Sequence, residues 1–283
     1  MVAEHNEYVY KEFSGSEPLK ASIWYNRDPS DVAKPIAIYF HGGNFVLGNK
    51  DVLSPAYVEK LLELGFGAVV SPNYRLCPTV SLSEGPVQDA KDSYIWSRID
   101  LPQRLAEDAS VKLIGERIVT FGHSAGATLA LLTASLPQKP LAILDIFGLK
   151  YFEDEFYHNP NLALVQMLPE FDAAVLDKIH NDFLAPSAAP PPDAPGGPDF
   201  GNHRVTIRSS FPPTYFIHGS KDVIVDVKFS RRAHIALEAQ EVDTELVMEE
   251  ANHGFDAGAK PGDKYFELVA EGFEFLARHA LPS

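Results

Sequence analysis

A serine stands between two glycines where an expected strand meets an expected helix. Residues 117–126 read Arg-Ile-Val-Thr-Phe-Gly-His-Ser-Ala-Gly. The run before the first glycine suits a buried strand, and the small and apolar residues after the serine suit a helix. In this context a Gly-x-Ser-x-Gly turn bends sharply and lifts the hydroxyl of Ser124 to where a base can reach it. The pattern predicts that Ser124 is a nucleophile, and the alternative is a tight turn with a capping serine.

A serine hydroxyl needs a general base, and the base needs an acid that orients it. Of the ten histidines, His253 follows the last expected strand. It should therefore lie at the carboxyl edge of the sheet, where such sheets bind ligands. Asp222 follows the preceding expected strand, in the turn His-Gly-Ser-Lys-Asp. Asp226 is its rival, although an acid there would more often cap the next helix. We expect a triad in the chain order Ser124, Asp222, His253.

The backbone after another expected strand could supply an oxyanion hole. The sequence His-Gly-Gly-Asn-Phe begins at His41. The N–H groups of Gly43, Asn44 and Ala125 are predicted to hold a tetrahedral oxyanion. His41 and Gly42 would support this loop, His41 through hydrogen bonding and not through proton transfer. No partner cluster at metal-ligand spacing accompanies His41, so we expect no metal and no cofactor.

Eight strand-like runs follow one another along the chain, and helical runs separate the later ones. The strands are expected at 8–13, 19–24, 35–40, 67–71, 117–121, 141–147, 213–217 and 244–248, and the helices at 54–64, 86–99, 125–135, 228–239 and 264–279. The first two strands form a hairpin. This alternation predicts an α/β fold with a mostly parallel sheet, helices on both faces and an antiparallel start.

One stretch, at about 150–210, lacks any strand-like run, and its part 185–198 is dense in proline, alanine and glycine. Such a stretch inside a compact domain is usually a lid or a binding loop. Because strands resume after it, we predict a single domain over 1–283 with a cap insertion, and a plain surface loop is the alternative. The aromatic residues Phe45, Tyr151 and Phe152 could line a substrate pocket, although core packing explains aromatics equally well.

Composition narrows the range of partners. The chain has 283 residues, is 45% hydrophobic and carries a formal net charge of -15. An acidic surface repels phosphate backbones, so nucleic acid is not an expected partner. The sequence shows neither a secretory signal pattern nor an apolar run that could span a membrane, and its single cysteine, Cys77, allows no intramolecular disulfide. We expect a cytoplasmic protein whose partner is a small ester-like molecule. Oligomeric state is open, with a homodimer as one option.

Five motifs together resemble the hormone-sensitive-lipase-like carboxylesterases of the α/β-hydrolase superfamily. They are His-Gly-Gly at 41–43, Asn-Tyr-Arg-Leu-Cys-Pro at 73–78, Gly-x-Ser-x-Gly at 122–126, Asp222, and His-Gly-Phe at 253–255. The resemblance implies an eight-stranded sheet, a cap over the active site and acyl-enzyme chemistry on esters. One departure is Asn44, which replaces a third glycine. The His-Gly-Gly-x-aromatic form is similar to that of kynurenine formamidases, which cleave an N-formyl amide.

These features predict a serine esterase that cleaves a carboxylic ester of a small or medium-sized substrate through an acyl-enzyme. In style the chain also resembles hydrolases found among fungal biosynthetic enzymes, which implies secondary metabolism. The first alternative is an arylformamidase or another amide or lactone hydrolase. The second is a non-hydrolytic lyase, cyclase or binding protein on the same fold, because a fold does not fix a function. Receptors on this fold usually lose the catalytic histidine, whereas this chain keeps His253.

Overall fold

Eight strands form one sheet in the computed structural model, which describes residues 3–27, 32–77, 79–157 and 207–281. The strands are β1 (Glu4–Lys11), β2 (Leu19–Tyr25), β3 (Lys34–Phe40), β4 (Ala68–Pro72), β5 (Leu113–His123), β6 (Ile143–Ile146), β7 (Thr214–Gly219) and β8 (Thr244–Glu249). Their order across the sheet is β1-β2-β4-β3-β5-β6-β7-β8. The pairs β1–β2 and β2–β4 are antiparallel, and all other pairs are parallel. The predicted mostly parallel sheet with an antiparallel start is confirmed.

Six α-helices lie in the described part of the chain: α1 (Pro55–Glu63), α2 (Gln88–Ile99), α3 (Leu101–Ala109), α4 (Ala125–Leu132), α5 (Lys228–Glu238) and α6 (Lys264–Ala280). Five of them match predicted helices, with small differences at the ends. A single π-helical turn, Ser83–Val87, precedes α2, so the regular helix begins two residues later than expected. Helix α3 was not among the predicted helices, although its buried residues Leu101, Leu105 and Ala109 recur at four-residue spacing.

The sheet is covered by a hydrophobic core on each face. Along β3, Ile36, Ile38 and Phe40 point to one face, and Ala37 and Tyr39 point to the other, as the two-residue period of a strand requires. The first face packs against α2, α3, α4 and α5, and the second packs against α1 and α6. Because both faces are covered, the central strands read as continuous apolar runs.

The loops that could do chemistry leave the carboxyl ends of β3, β5, β7 and β8. The predicted cap begins after β6 and ends before β7, and most of it, 158–206, lies outside the described residues. None of the helices described is long and apolar enough to cross a bilayer.

Candidate active site

Ser124 lies on a strained turn between β5 and α4. Its backbone has φ 52° and ψ -121°, a conformation that costs a non-glycine residue on the order of 1–3 kcal/mol. The Ser124 N–H donates to the carbonyl of Ile146 at 2.9 Å, which ties the turn to the end of β6. Ser124 also stands at the N-terminus of α4, where the positive end of the helix dipole favours developing negative charge.

The two glycines beside Ser124 are required by close packing. A Cβ on Gly126 would lie 1.9 Å from the carbonyl oxygen of Phe40, and one on Gly122 would lie 2.5 Å from the carbonyl carbon of Gly126. Real Cβ atoms do not approach so closely. Helix α4 therefore sits directly against the end of β3, and this brings the loop after β3 next to the serine turn.

That loop contains the predicted oxyanion donors Gly43 and Asn44. A Cβ on Gly42 would lie 3.1 Å from the His123 carbonyl and 3.5 Å from the Ser124 Cβ, so the loop packs on the serine turn. Gly43 has φ 117°, and Asn44 has φ 52°. The Gly43 carbonyl accepts from two N–H groups three and four residues later, at 3.0 and 3.1 Å, which fixes the peptide units of this loop. The placement suits the predicted role, which stays a prediction.

His41 is buried beneath the same loop. Its ring stacks on Tyr74 with centroids 4.1 Å apart, and its Nδ1–H donates to the Gly42 carbonyl at 2.7 Å. The Tyr74 hydroxyl donates to the His41 carbonyl at 2.7 Å. Burial lowers the pKa of His41 from 6.5 to about 4, and the bond to Gly42 opposes the shift only in part. The neutral ring braces the loop, and its low pKa does not suit a base at neutral pH.

The side chains of Asp222 and His253 are in direct contact. His253 Nδ1 lies 2.6 Å from Asp222 Oδ2, so the ring donates its Nδ1–H to a carboxylate that is fully buried. This leaves Nε2 unprotonated in the neutral ring, as a base that serves Ser124 requires. The ring of Phe147 packs on His253, with centroids 4.6 Å apart, and Phe147 directly follows the residue that anchors the serine turn.

Gly219 lets the loops after β7 and β8 meet. A Cβ at this position would lie 2.3 Å from the Ala251 carbonyl oxygen. The two loops are also joined through the backbone, because the Lys221 N–H donates to the Ala251 carbonyl at 3.0 Å. The contact between Asp222 and His253, which are 31 residues apart, therefore depends on a glycine at the end of β7.

Four donors surround the carboxylate of Asp222. Its Oδ1 accepts from the N–H groups of Ile224 and Val225, each at 2.9 Å, and its Oδ2 lies 3.2 Å from His218 Nε2 as well as beside His253. Burial acts to raise the pKa of Asp222, but the bonds from His218 and His253 outweigh burial, so that the pKa lies well below its ordinary value. Asp222 is therefore a carboxylate at neutral pH.

His218 also contacts Asp222, and this contact was not predicted from the sequence. It is fully buried, and its Nε2 lies 2.8 Å from the Val225 carbonyl, which can only accept, so Nε2 carries a proton. Its Nδ1 lies 2.8 Å from the Ser230 hydroxyl. The signal was its position four residues before Asp222, in the same turn. The rival acid Asp226 instead accepts from the N–H of Lys228 at the start of α5, as a capping residue does.

A buried ion pair stands at the point where the predicted cap begins. Lys150 Nζ lies 2.7 Å from Asp145 Oδ2 and donates to the Gly148 carbonyl at 2.6 Å. Burial lowers the pKa of Lys150, although attraction by Asp145 opposes the shift. Removing one member of such a pair leaves a buried charge without its partner, which is strongly destabilising. The pair fixes the first residues of the segment that follows β6.

The three predicted pocket aromatics are packed among other side chains. Phe45 and Phe152 are buried in the core, and Phe45 has φ 64°. Tyr151 is half-buried, with the Arg232 guanidinium 3.8 Å from its ring centroid. Their predicted role in binding substrate stays a prediction, which this packing does not favour.

Cys77 is not part of this arrangement. Burial raises the pKa of the Cys77 thiol to about 11, so little of it is a thiolate at neutral pH. Within the described ranges, no group of three or more His, Cys, Asp or Glu side chains could hold a metal ion.

A strained serine at a helix N-terminus, with a buried Asp–His pair on loops that leave the same edge of the sheet, is typical of an α/β-hydrolase. The family model described as the alpha/beta hydrolase fold matches residues 37–257. The chain therefore belongs to this family, and its resemblance to hormone-sensitive-lipase-like carboxylesterases is confirmed.

Two solved esterases share the fold. Esterase 2 of Thermogutta terrifontis, with propionate bound, is 20% identical with a TM-score of 0.70, and the match covers 100% of this chain and 97% of that one. The esterase LipW of Mycobacterium marinum is 23% identical with a TM-score of 0.70, and the match covers 99% of this chain and 83% of that one. At these identities the likeness concerns the fold alone.

Fungal polyketide synthases are curated relatives that are more similar to this chain in sequence than the two esterases are. The non-reducing polyketide synthase mapC of Penicillium brevicompactum is 29% identical over 92% of this chain, and the match covers 13% of the synthase. The synthase ausA of Emericella nidulans is 29% identical over 96% of this chain, and 14% of the synthase is covered. The 5-methylorsellinic acid synthase of Aspergillus terreus is 28% identical over 93%, with 13% covered. The chain thus spans only a small part of these relatives.

The similarity to kynurenine formamidases is not confirmed.

Proposed function

We propose that this protein is a serine hydrolase that cleaves a carboxylic ester through an acyl-enzyme. The observation that carries the proposal is the 2.6 Å contact between His253 Nδ1 and the buried Asp222 carboxylate, on the same edge of the sheet as a strained serine at the N-terminus of α4. An ionised acid holds His253 in the tautomer whose Nε2 can accept a proton. The esterases with the same fold support an ester as the substrate class.

The reaction would proceed in two halves. The Ser124 oxygen attacks the ester carbonyl carbon while His253 Nε2 takes the hydroxyl proton. The resulting oxyanion accepts hydrogen bonds from the N–H groups of Gly43, Asn44 and Ala125. The carbon–oxygen bond to the alcohol then breaks, and the alcohol leaves with the proton from His253. In the second half, His253 takes a proton from water, the hydroxide attacks the acyl-enzyme, and the acid leaves as Ser124 regains its proton.

The direct test is hydrolysis of p-nitrophenyl acetate and butyrate by wild type and by Ser124→Ala. We expect the variant to lose at least 1000-fold in kcat, because no other side chain of the site can form the acyl-enzyme. Ser135→Ala is the matched control, since Ser135 lies just past the other end of α4 and its hydroxyl donates to the Leu132 carbonyl. Full activity of Ser124→Ala would refute the proposal. A fluorophosphonate probe should label wild type and Ser135→Ala but not Ser124→Ala.

A second candidate is cleavage of an acyl thioester of the polyketide type. It is favoured by the three polyketide synthases, each 28–29% identical over more than nine tenths of this chain. The same machinery would serve, because a thiolate leaves the tetrahedral intermediate as an alkoxide does. The test compares one aromatic acyl group carried on p-nitrophenol, on N-acetylcysteamine and on a simple alcohol. A kcat/KM at least tenfold higher for the thioester than for the alkyl ester would assign the thioester, and the reverse ratio would assign the ester.

The remaining alternatives are decided by the same panel. A lactone and N-formylkynurenine are added as substrates, and turnover of the formamide above that of every ester would identify an amide hydrolase. A binding protein, or a lyase or cyclase that does not transfer the acyl group to water, would hydrolyse none of these esters and thioesters. Secondary metabolism is part of the proposal, since the curated relatives named above are polyketide synthases. A cap over the site, a cytoplasmic location and a homodimer remain predictions.

A further inference from the structure

A second imidazole–carboxylate pair lies beside the proposed triad. His123 Nε2 is 2.6 Å from Asp256 Oδ2, and the Tyr57 hydroxyl donates to the same oxygen at 2.9 Å. Asp256 and Tyr57 are buried, and the rings of Tyr57 and His123 are stacked with centroids 6.1 Å apart and an interplanar angle of 9°. A carboxylate with two donors in a buried place is held in one orientation.

The two members of this pair stand next to the two reacting groups. His123 directly precedes Ser124, and Asp256 follows His253 by three residues. The serine turn leaves β5, and the His253 loop leaves β8. Two strands, β6 and β7, separate them in the sheet. At about 4.8 Å per strand, the ends of β5 and β8 are roughly 14 Å apart. The hydrogen bond between His123 and Asp256 therefore links the serine turn directly to the loop that carries His253.

One aromatic ring completes the connection. Phe147, at the end of β6, packs its ring on His253 at 4.6 Å and on His123 at 5.6 Å, both between centroids. Its φ is 43°, a value rare for a phenylalanine, which turns the chain at the end of β6. The imidazoles of the base and of the serine's neighbour therefore share one packing partner.

The charges of this cluster favour a fixed geometry. Burial acts to raise the pKa of Asp256, but attraction to His123 and the bonds from His123 and Tyr57 hold it below its ordinary value. Burial and the charge of Asp256 raise the pKa of Tyr57, so the hydroxyl keeps its proton and donates it. The ionised Asp256 is therefore held by two donors from different elements, β5 and α1.

We propose that His123 and Asp256 are positioning residues that set the distance between Ser124 and His253. Neither would touch the substrate. They would act through the backbone of the serine turn and of the His253 loop. This inference rests on the proposed function, because it assigns the pair a role in the step that Ser124 and His253 perform.

The test compares Asp256→Asn with Asp243→Asn. Asp243 is a matched control, because its carboxylate faces another imidazole, that of His279, at 3.1 Å near the far end of α6. For Asp256→Asn we expect kcat on p-nitrophenyl butyrate to fall about 10- to 100-fold with KM within about threefold, since a displacement of about 1 Å costs on that order. Asp243→Asn should keep the wild-type kcat. A kcat within threefold of wild type in Asp256→Asn, or an equal loss in Asp243→Asn, overturns the proposal.

Two further measurements separate positioning from simple loss of stability and from failure of the proposed function. The double variant His123→Phe/Asp256→Asn should be no slower than the slower of His123→Phe and Asp256→Asn, because both changes act on the same contact. Losses that multiply in the double variant would refute the shared role. Amide hydrogen exchange of a peptide covering residues 250–258 should be faster in Asp256→Asn than in wild type or Asp243→Asn. If wild type cleaves no ester, the proposed function fails, and unchanged exchange in this loop would still overturn the inference by itself.

Discussion

Replacing His41 by phenylalanine should make the stability of this protein less sensitive to acid. The imidazole is 1% exposed and stacks on Tyr74, and a phenyl ring can keep that stacking. Among the described residues, no hydrogen-bond partner reaches Nε2. Protonation would therefore bury a charged N–H without an acceptor. For this reason burial holds the pKa of His41 at about 4 in the folded protein, against 6.5 for a free imidazole.

The size of the effect follows from these two pKa values. Between pH 6.5 and 4 the unfolded chain binds a proton at residue 41 that the folded protein does not bind. Stability therefore rises with pH across this window and is lost as pH falls from about 6.5 to about 4. From pH 7 to pH 5, this one group lowers the free energy of unfolding by about 2 kcal/mol.

Urea unfolding at pH 7 and pH 5, followed by circular dichroism, measures the difference. Wild type should lose about 2 kcal/mol more between the two pH values than His41→Phe does, whatever the variant's stability at pH 7. His5→Phe is the control for the loss of an imidazole, because His5 is exposed on β1. If His41→Phe and wild type lose the same free energy, within about 0.5 kcal/mol, the buried neutral state of His41 is refuted.

Three more predictions concern the site. Asp222→Asn should lower kcat on p-nitrophenyl esters about 1000- to 10,000-fold, because the amide no longer selects the tautomer of His253 that leaves Nε2 free. Asp226→Asn should stay within threefold of wild type. Equal losses in steady-state assays would contradict the choice of Asp222 as the acid. Gly43→Ala should lower kcat at least 100-fold, because the new Cβ would lie 2.0 Å from the Leu47 carbonyl oxygen and would displace the predicted oxyanion donors. A wild-type rate would argue against this loop as the oxyanion hole. Cys77→Ala should keep full activity, since burial raises the thiol pKa to about 11, and loss of activity in a well-folded variant would contradict that view.

The strands and most of the helices could be predicted from local sequence patterns. The apolar run at β3 is continuous because both faces of the sheet are covered. Helices α5 and α6 show the periodicity of a single buried stripe, whereas α4 is buried on all sides. Helix α3 was not predicted, although its three buried residues recur every four positions and a proline lies in its first turn, as is common at the start of a helix. Its stability comes from packing against the core, which a local pattern does not contain.

Part of the site could also be predicted, because some of its residues form a local sequence motif. Ser124 and its glycines form a motif within five residues, so their geometry is encoded locally. Asp222 and His253 were each predicted from their place after a strand, because parallel strands end at one edge of the sheet. Phe45 shows the limit: its side-chain direction depends on a backbone φ of 64°, which turns it into the core.

By itself, the sequence determined the strand–turn–helix around Ser124, the order of the chemical groups along the chain and the class of fold. The pairing of Asp222 with His253 could be expected from the sequence, but only the tertiary structure showed that Asp256 faces His123 and that His218 also contacts Asp222. The chain joins His253 to Asp222 and His123 to Asp256 across separations of 31 and 133 residues. A buried charge must find its hydrogen-bond partners within about 3 Å, and the candidates come from whatever strand ends the sheet order brings together. That choice is made by packing in three dimensions, so no local pattern around Ser124 contains it.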